Sequence, residues 1–472
     1  NHTSDEHPWF EEARKSRHNP YYNYYHWWPA EKGEPPLRLS YFDEEGNAWT
    51  YNKPTDSYYL HYFSRKQPDL NWENPEVRQE IFDMMRFWFD KGIDGFRMDS
   101  ISLIAKDPSF PLIDSKKYPD IFSFYAKEPR LHLYLHEMNR QVLSKYDCMS
   151  VGEGSAVMVD DVAKFVDPAR EELNMLYHFD AARIRNTTLP DNPESGIDYS
   201  LIALKKMFTE WDKAVDKGWP SIYLGNHDQP RMVSRFGSDK DEFRALSAKM
   251  LITFLLTMRG TPYWFAGDEI GMRNIRFDHI EDYNDIDTIN RYKKAKAEGK
   301  DPQAVLDEQK ETGRDNARTP FQWDRSPEAG FTAGTPWLKV NPDYTWINVA
   351  DEEKDPTSIL NYFKKVVSFR KENPSLIYGS YHLLDAENPQ SYTFLRKTGA
   401  DTYLIMLNFS PKAAISTPGI DMSNAHVLLD NYGDRSHMAP QKDITLRPFE
   451  AIVFQLNHPV YESFIDSLDL LE

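Results

Sequence analysis

Gly95-Phe96-Arg97-Met98-Asp99 decides how the chain is read. Upstream, residues 74–92 set Val77, Ile81, Met84, Met85, Phe87 and Trp88 at helical spacing and close on Gly92. A glycine just past the last periodic residue signals a helix C-cap, so a strand is expected to begin almost at once. A short apolar strand ending in Arg-x-Asp carries both charges to its carboxyl end. In a parallel barrel that end is the rim where chemistry is done. Taken alone, the motif is as consistent with a structural ion pair.

Two more stretches repeat the pattern. Cys148-Met149-Ser150-Val151-Gly152-Glu153 is an apolar strand ending in a carboxylate, and residues 221–228 run Ser-Ile-Tyr-Leu-Gly-Asn-His-Asp. The pair Asn1-His2 reads as the tail of a fourth such segment. Strands that end in Asp, Glu and His-Asp bring carboxylates to one rim. That arrangement suits glycoside hydrolysis, in which one carboxylate attacks and another donates a proton.

Outward from these segments, helices are predicted over 74–91, 130–146, 159–166, 201–216, 241–259 and 358–373, and strands over 94–99, 148–153, 173–179, 220–226 and 261–266. Such alternation argues for a parallel sheet. Five strand–helix units are visible where a closed barrel needs eight, so this reading expects the amino-terminal units to lie outside the sequence. No glycine-rich nucleotide fingerprint follows any strand, which argues against an open doubly wound sheet.

Residues 3–72 lack a long helical period and are rich in Tyr, Trp, Pro, Gly and Asn, so they are expected to form a subdomain. The charged stretch 292–309 reads as a solvated helical excursion. After Asn373-Pro374, strand-like alternation over 391–396 and 401–409, across the turn 397–400, joins 427–429 and 449–456 in an expected antiparallel sandwich. The end, 461–472, is acidic and amphipathic, with no function assigned.

A net charge of -18 over 472 residues argues against nucleic acid or an anionic membrane as partner. No apolar run reaches the roughly 18 residues needed to span a bilayer. The single cysteine, Cys148, excludes an internal disulfide, fits a reducing compartment and is expected to be a buried structural thiol. Aromatic residues at 14% suit stacking on sugar faces, although large cores are aromatic too.

Asn1-His2, Gly95–Asp99, Gly152-Glu153 and Asn226-His227-Asp228 together resemble the four short regions of the α-amylase family of glycoside hydrolases, family 13. Gln67-Pro68-Asp69-Leu70-Asn71 is similar to the fifth region in its oligo-1,6-glucosidase and α-glucosidase subfamily, and the stretch 314–323 is also typical there. The resemblance covers nearly the whole chain. It implies an α/β fold: a (β/α)8 TIM barrel with its N-terminal units missing, an irregular B domain at 3–72 inserted after barrel strand 3, and the remaining barrel at 73–375 with a long loop at 270–355. A C-terminal antiparallel β-sandwich at 376–458 and a tail at 459–472 complete it.

The same resemblance assigns Asp99 as nucleophile, Glu153 as general acid/base and Asp228 as third carboxylate. His2 and His227 would donate to hydroxyls of the same glucose, with Arg97 beside the nucleophile. Arg314 or Arg318 would close the first subsite; the sequence does not decide which. Physically, Arg97 should keep Asp99 ionised, whereas Glu153 should lie near other carboxylates with no cation of its own.

The implied activity is a retaining exo-acting α-glucosidase on short maltose- or isomaltose-type oligosaccharides. The alternatives are a sucrose isomerase, a trehalose-6-phosphate hydrolase or, less favoured, a non-catalytic transporter-subunit relative. Gln229 after His227-Asp228 is the hydrolase form, and Ser100 after the nucleophile leaves linkage open with a lean towards α-1,4 or mixed specificity. No cofactor is required for the chemistry and no metal ligand is named; a structural Ca2+ or Mg2+ of some members would belong to the missing upstream part. A cytoplasmic monomer is expected, with neither nucleic acid nor membrane as partner.

Overall fold

Asn74 and Pro75 start the helix that leads into the deciding segment. The Asn74 side chain accepts from the Glu76 amide, the proline occupies the first turn where its missing N–H costs nothing, and Gly92 (φ +93°) follows the end. Helix α1 (Pro75–Asp90) buries Val77, Phe82, Met85 and Phe89, whereas Met84, Phe87 and Trp88 are exposed. The predicted period is right and its inward face is one stripe over. The computed structural model describes residues 1–42, 46–114, 116–118, 121–399, 401–436 and 441–456; the acidic stretch 461–472 lies outside them.

The chain forms two compact units. The first comprises Asn1–Phe179, Ala214–Trp219 and Ile289–Lys300; the second comprises Asp180–Lys213, Pro220–Thr288 and Asp301–Glu472.

In the first unit, β1 (Trp27–Pro29), β2 (Trp49–Asn52) and β3 (Ser57–Leu60) make an antiparallel sheet in the order β1-β3-β2. Phe10 packs edge-on to Tyr25 and Tyr59, both at 5.0 Å, so aromatic contacts stand in for long helices in this stretch. Strands β4 (Gly95–Met98), β5 (Met149–Glu153) and β6 (Met175–Tyr177) are parallel, with Arg97 opposite Val151 and Glu153 opposite Tyr177. A Cβ on Gly95 would lie 2.0 Å from the Met149 carbonyl oxygen, so only glycine permits this approach of β4 to β5.

Helix α2 (Arg130–Gln141) stops short of the predicted 146 because Val142 leaves helical geometry at φ −126°, ψ −71°. The helix predicted over 159–166 divides into a 3-10 turn (Val159–Asp161) and one α-turn (Ala163–Val166). Cys148 precedes β5 and is half-buried rather than buried, its Sγ 3.4 Å from the Leu143 carbonyl; burial still pushes its thiol pKa up.

In the second unit, α3 (Leu201–Ala214) precedes β7 (Ser221–Ile222), and α4 (Arg244–Thr257) precedes β8 (Thr261–Pro262), parallel to β7. The strands predicted over 220–226 and 261–266 pair over two residues each. Pro262 has no N–H to give, and the ladder ends as the Tyr263 amide donates to the Ile222 carbonyl at 2.7 Å. Within the predicted solvated stretch, α5 (Pro302–Thr312) buries Leu306 and Gln309, whose amide oxygen accepts from Thr288 at 2.8 Å.

After α6 (Ile359–Glu372) come β9 (Ser380–Leu384), β10 (Ser391–Thr398), β11 (Asp401–Asn408), β12 (Ala414–Ser416), β13 (His426–Asp430), β14 (Ile444–Leu446) and β15 (Ala451–Leu456). A five-stranded antiparallel sheet, β13-β15-β11-β10-β9, and the pair β12-β14 share a core that includes Leu395, Leu404, Ile444, Leu446 and Phe454. The expected sandwich is therefore formed.

Buried cations tie this unit together. Helix α4 is apolar on every side, and its last carbonyls have no helical partner. Arg370 donates to the carbonyls of Leu256 and Met258 at 2.8 Å, and Arg396 donates to those of Thr257, Leu376 and Gly379. Burial lowers Arg370 to about 10 and Arg396 to about 9. Lys205 gives its ammonium to the carbonyls of Asp385, Asn388 and Ser391.

Replacing Arg396 with leucine should therefore destabilise strongly, by about 1–3 kcal/mol for each acceptor that water cannot reach. Urea unfolding would measure it, and an unchanged midpoint would show that water replaces the guanidinium.

Candidate active site

Asp99 follows β4 directly, and Glu153 and Tyr177 end β5 and β6, so strand register alone sets three side chains at neighbouring carboxyl ends. Arg97 reaches all of them. Its Nη1 donates to Asp99, its Nη2 to Glu153 at 2.9 Å and its Nε to the Tyr177 hydroxyl at 2.9 Å. The expectation that Glu153 has no cation of its own is thus corrected: Asp99 and Glu153 share one.

The two carboxyls nevertheless titrate apart. Burial raises Asp99, but the hydrogen bond and charge of Arg97 outweigh it and hold the group below the usual range. Glu153 is 5% exposed, and burial lifts it to about 7; Arg97 opposes the rise and the Asp99 charge adds to it. Both carboxyls bond the same guanidinium, Asp99 through Nη1 and Glu153 through Nη2, so one cation holds the two side by side. A carboxylate and a carboxylic acid side by side at pH 6 can attack and protonate one bond.

Ser100 holds a left-handed backbone (φ 42°, ψ 38°), a conformation that costs a non-glycine residue about 1–2 kcal/mol. That turn aims its N–H at Glu153 Oε2, 2.9 Å away. Burial lowers His2 to about 4, so the ring is neutral, and its Nε2 lies 3.0 Å from the Gln67 amide nitrogen.

Beneath His2, Lys106 is buried with its ammonium 2.8 Å from Asn1 Oδ1 and 3.3 Å from Asp69 Oδ2. This cation already serves Asn1 Oδ1 and Asp69 Oδ2. Among the described residues no cluster of three or more His, Cys, Asp or Glu side chains could hold one.

The second unit carries the other predicted residues. Arg314 Nη1 at 3.1 Å and Arg318 Nη2 at 2.9 Å both donate to Asp228 Oδ1. Arg318 Nε also donates to the His227 carbonyl at 2.8 Å, and His227 Nε2 lies 3.2 Å from Asp228 Oδ2.

Sequence reasoning missed Tyr177, Lys106 and Asp285, the last a buried carboxylate behind the arginines. Tyr177 could have been found, because it lies within the predicted strand 173–179. Lys106 pairs across 105 and 37 residues to Asn1 and Asp69, and no local motif signals that.

Lys106→Met should cost about 3–5 kcal/mol, because it leaves Asp69 buried and uncompensated. Adding Asp69→Asn should recover part of the loss. Unfolding of the wild type, both single variants and the double variant checks this; a double variant worse than Lys106→Met would contradict it.

Residues 1–379 match the model of the alpha amylase catalytic domain. The chain is 48% identical over 470 residues to an oligo-1,6-glucosidase of Parageobacillus thermoglucosidasius, covering 97% of this chain and 82% of that protein. It is 39% identical over 468 residues to a trehalose-6-phosphate hydrolase of Bacillus subtilis (strain 168), covering 97% and 81%. A solved isomaltulose synthase mutant from Erwinia rhapontici NX5, in complex with sucrose, superposes with a TM-score of 0.91 at 39% identity, covering 97% and 82%. The fold is the TIM barrel of that group with an antiparallel C-terminal domain, and the chain belongs to the α-amylase family of glycoside hydrolases.

Proposed function

We infer that the protein is a retaining, exo-acting α-glucosidase that hydrolyses terminal α-linked glucose from short oligosaccharides. The observation that carries this is the placement of Asp99 and Glu153 on one guanidinium, with burial raising Glu153 and Arg97 holding Asp99 below its usual range. Asp99 attacks the anomeric carbon while Glu153 passes its proton to the departing glycosidic oxygen. Glu153, now a carboxylate, then takes a proton from the water that frees glucose from Asp99.

His2, neutral and held by Gln67, serves as a hydrogen-bonding partner for a glucose hydroxyl. Asp228 binds ring hydroxyls more tightly as the ring flattens, and the two arginines that donate to its Oδ1 fix its rotamer. Isomaltose-type substrates are favoured by the similarity to oligo-1,6-glucosidases, while the small Ser100 beside the nucleophile leaves space for maltose-type ones as well. Hydrolysis rather than isomerisation is favoured by Gln229, whose amide oxygen accepts from Arg235.

The sign of the pH dependence follows from Glu153. Raised to about 7, it is protonated and competent as an acid below that pH, so kcat/KM should fall as pH rises through about 7. Glu153→Gln should lower turnover of an unactivated disaccharide by about 10²–10⁴-fold and erase the alkaline limb on an aryl glucoside whose leaving group needs no proton. A limb that survives in Glu153→Gln would remove Glu153 from the acid role.

A further inference from the structure

Asp285 is none of the three carboxylates assigned to the reaction, yet both arginines on Asp228 converge on it. Its side chain is 1% exposed, and its Oδ1 accepts from Arg314 Nη2 and lies 3.6 Å from Arg318 Nη1. The Thr288 hydroxyl shares its one proton between Asp285 Oδ2 at 3.2 Å and the Gln309 amide oxygen at 2.8 Å. Its backbone is fixed as well: Asp315, in the same short turn as Arg314, accepts from the amides of Asn284 and Asp285 at 2.7 and 2.8 Å. Each guanidinium is therefore gripped at both ends, by Asp285 on the buried side and by Asp228 on the other.

We propose that Asp285 is the positioning residue for Asp228, acting through Arg314 and Arg318. An unrestrained arginine side chain samples many rotamers, and two guanidinium groups on one carboxylate repel each other. A buried carboxylate behind them supplies both the restraint and the charge. Three carboxylates (Asp228, Asp285 and Asp315) then face two guanidinium groups, and Asp228 is left in one orientation. Removing the Asp285 charge frees both arginines to follow Asp228, whose carboxylate turns with them.

The inference rests on the reading of Asp228 as a glucose-binding carboxylate. The test is a cycle of Asp285→Asn with Asp228→Asn on the purified protein. It is read by calorimetric binding of 1-deoxynojirimycin, a glucose-shaped iminosugar, so that no turnover is required. Asp285→Asn should weaken binding about tenfold or more in the wild-type background and less than about twofold beside Asp228→Asn, the non-additivity expected of residues acting as one unit. Equal losses in both backgrounds would overturn the proposal.

If Asp285→Asn does not fold, Thr288→Val removes the hydroxyl shared by Asp285 Oδ2 and the Gln309 amide oxygen. It should give a smaller loss that again vanishes beside Asp228→Asn; a loss that persists there overturns the proposal too. A wild-type protein that neither binds the iminosugar nor turns over an α-glucoside refutes the glucosidase reading itself, and the positioning role falls with it.

Discussion

One guanidinium group sets the state of the candidate site. Arg97 touches Asp99, Glu153 and Tyr177 at once, and burial of the carboxyls works against it. The outcome differs between them for a physical reason. Asp99, with 58% of its side chain exposed, takes a direct hydrogen bond from Nη1 and stays ionised, whereas buried Glu153 also feels the charge on Asp99 and keeps its proton. A cation shared by two acids would ordinarily lower both. Unequal burial turns it into a device that separates them.

That arrangement depends on strand register. Arg97 stands opposite Val151, and Glu153 opposite Tyr177, so a slip of one residue would turn each side chain to the other face. Gly95 lets the first two strands come together, and the left-handed turn at Ser100 directs a backbone N–H at Glu153. Elsewhere the same principle holds without catalysis. Lys106, Lys205, Arg370 and Arg396 are buried cations that satisfy acceptors which would otherwise be stranded. Removing any of them costs more than the bond it makes, because the partner stays behind.

The site was legible in the sequence where chemistry is local. Arg97 and Asp99 are two residues apart on a strand end, and Glu153 ends another, so apolar runs that stop in a carboxylate were enough to find them. What escaped depends on long-range pairing. The cation beside Glu153 comes from a different strand, which no reading of residues 148–153 alone could supply. The bonds that Arg314 and Arg318 give Asp228 span 86 and 90 residues, and Asp285 carries no motif at all. For the fold, helical period was read correctly in α1 but its buried face was not, since Met84, Phe87 and Trp88 are exposed. Strand length at β7 and β8 was overestimated, because an apolar run does not reveal where pairing partners end.

Asp99 as nucleophile and Glu153 as acid is a division of roles open to covalent labelling. Incubation with a 5-fluoro-α-glucosyl fluoride, followed by peptide mass spectrometry, tests it most directly, because the fluorine slows hydrolysis of the covalent intermediate. The account predicts one fluoroglucosyl group per chain, on the peptide bearing Asp99, and none in Asp99→Asn. A label on Glu153 or Asp228, or turnover in Asp99→Asn above about a hundredth of wild type, would contradict it.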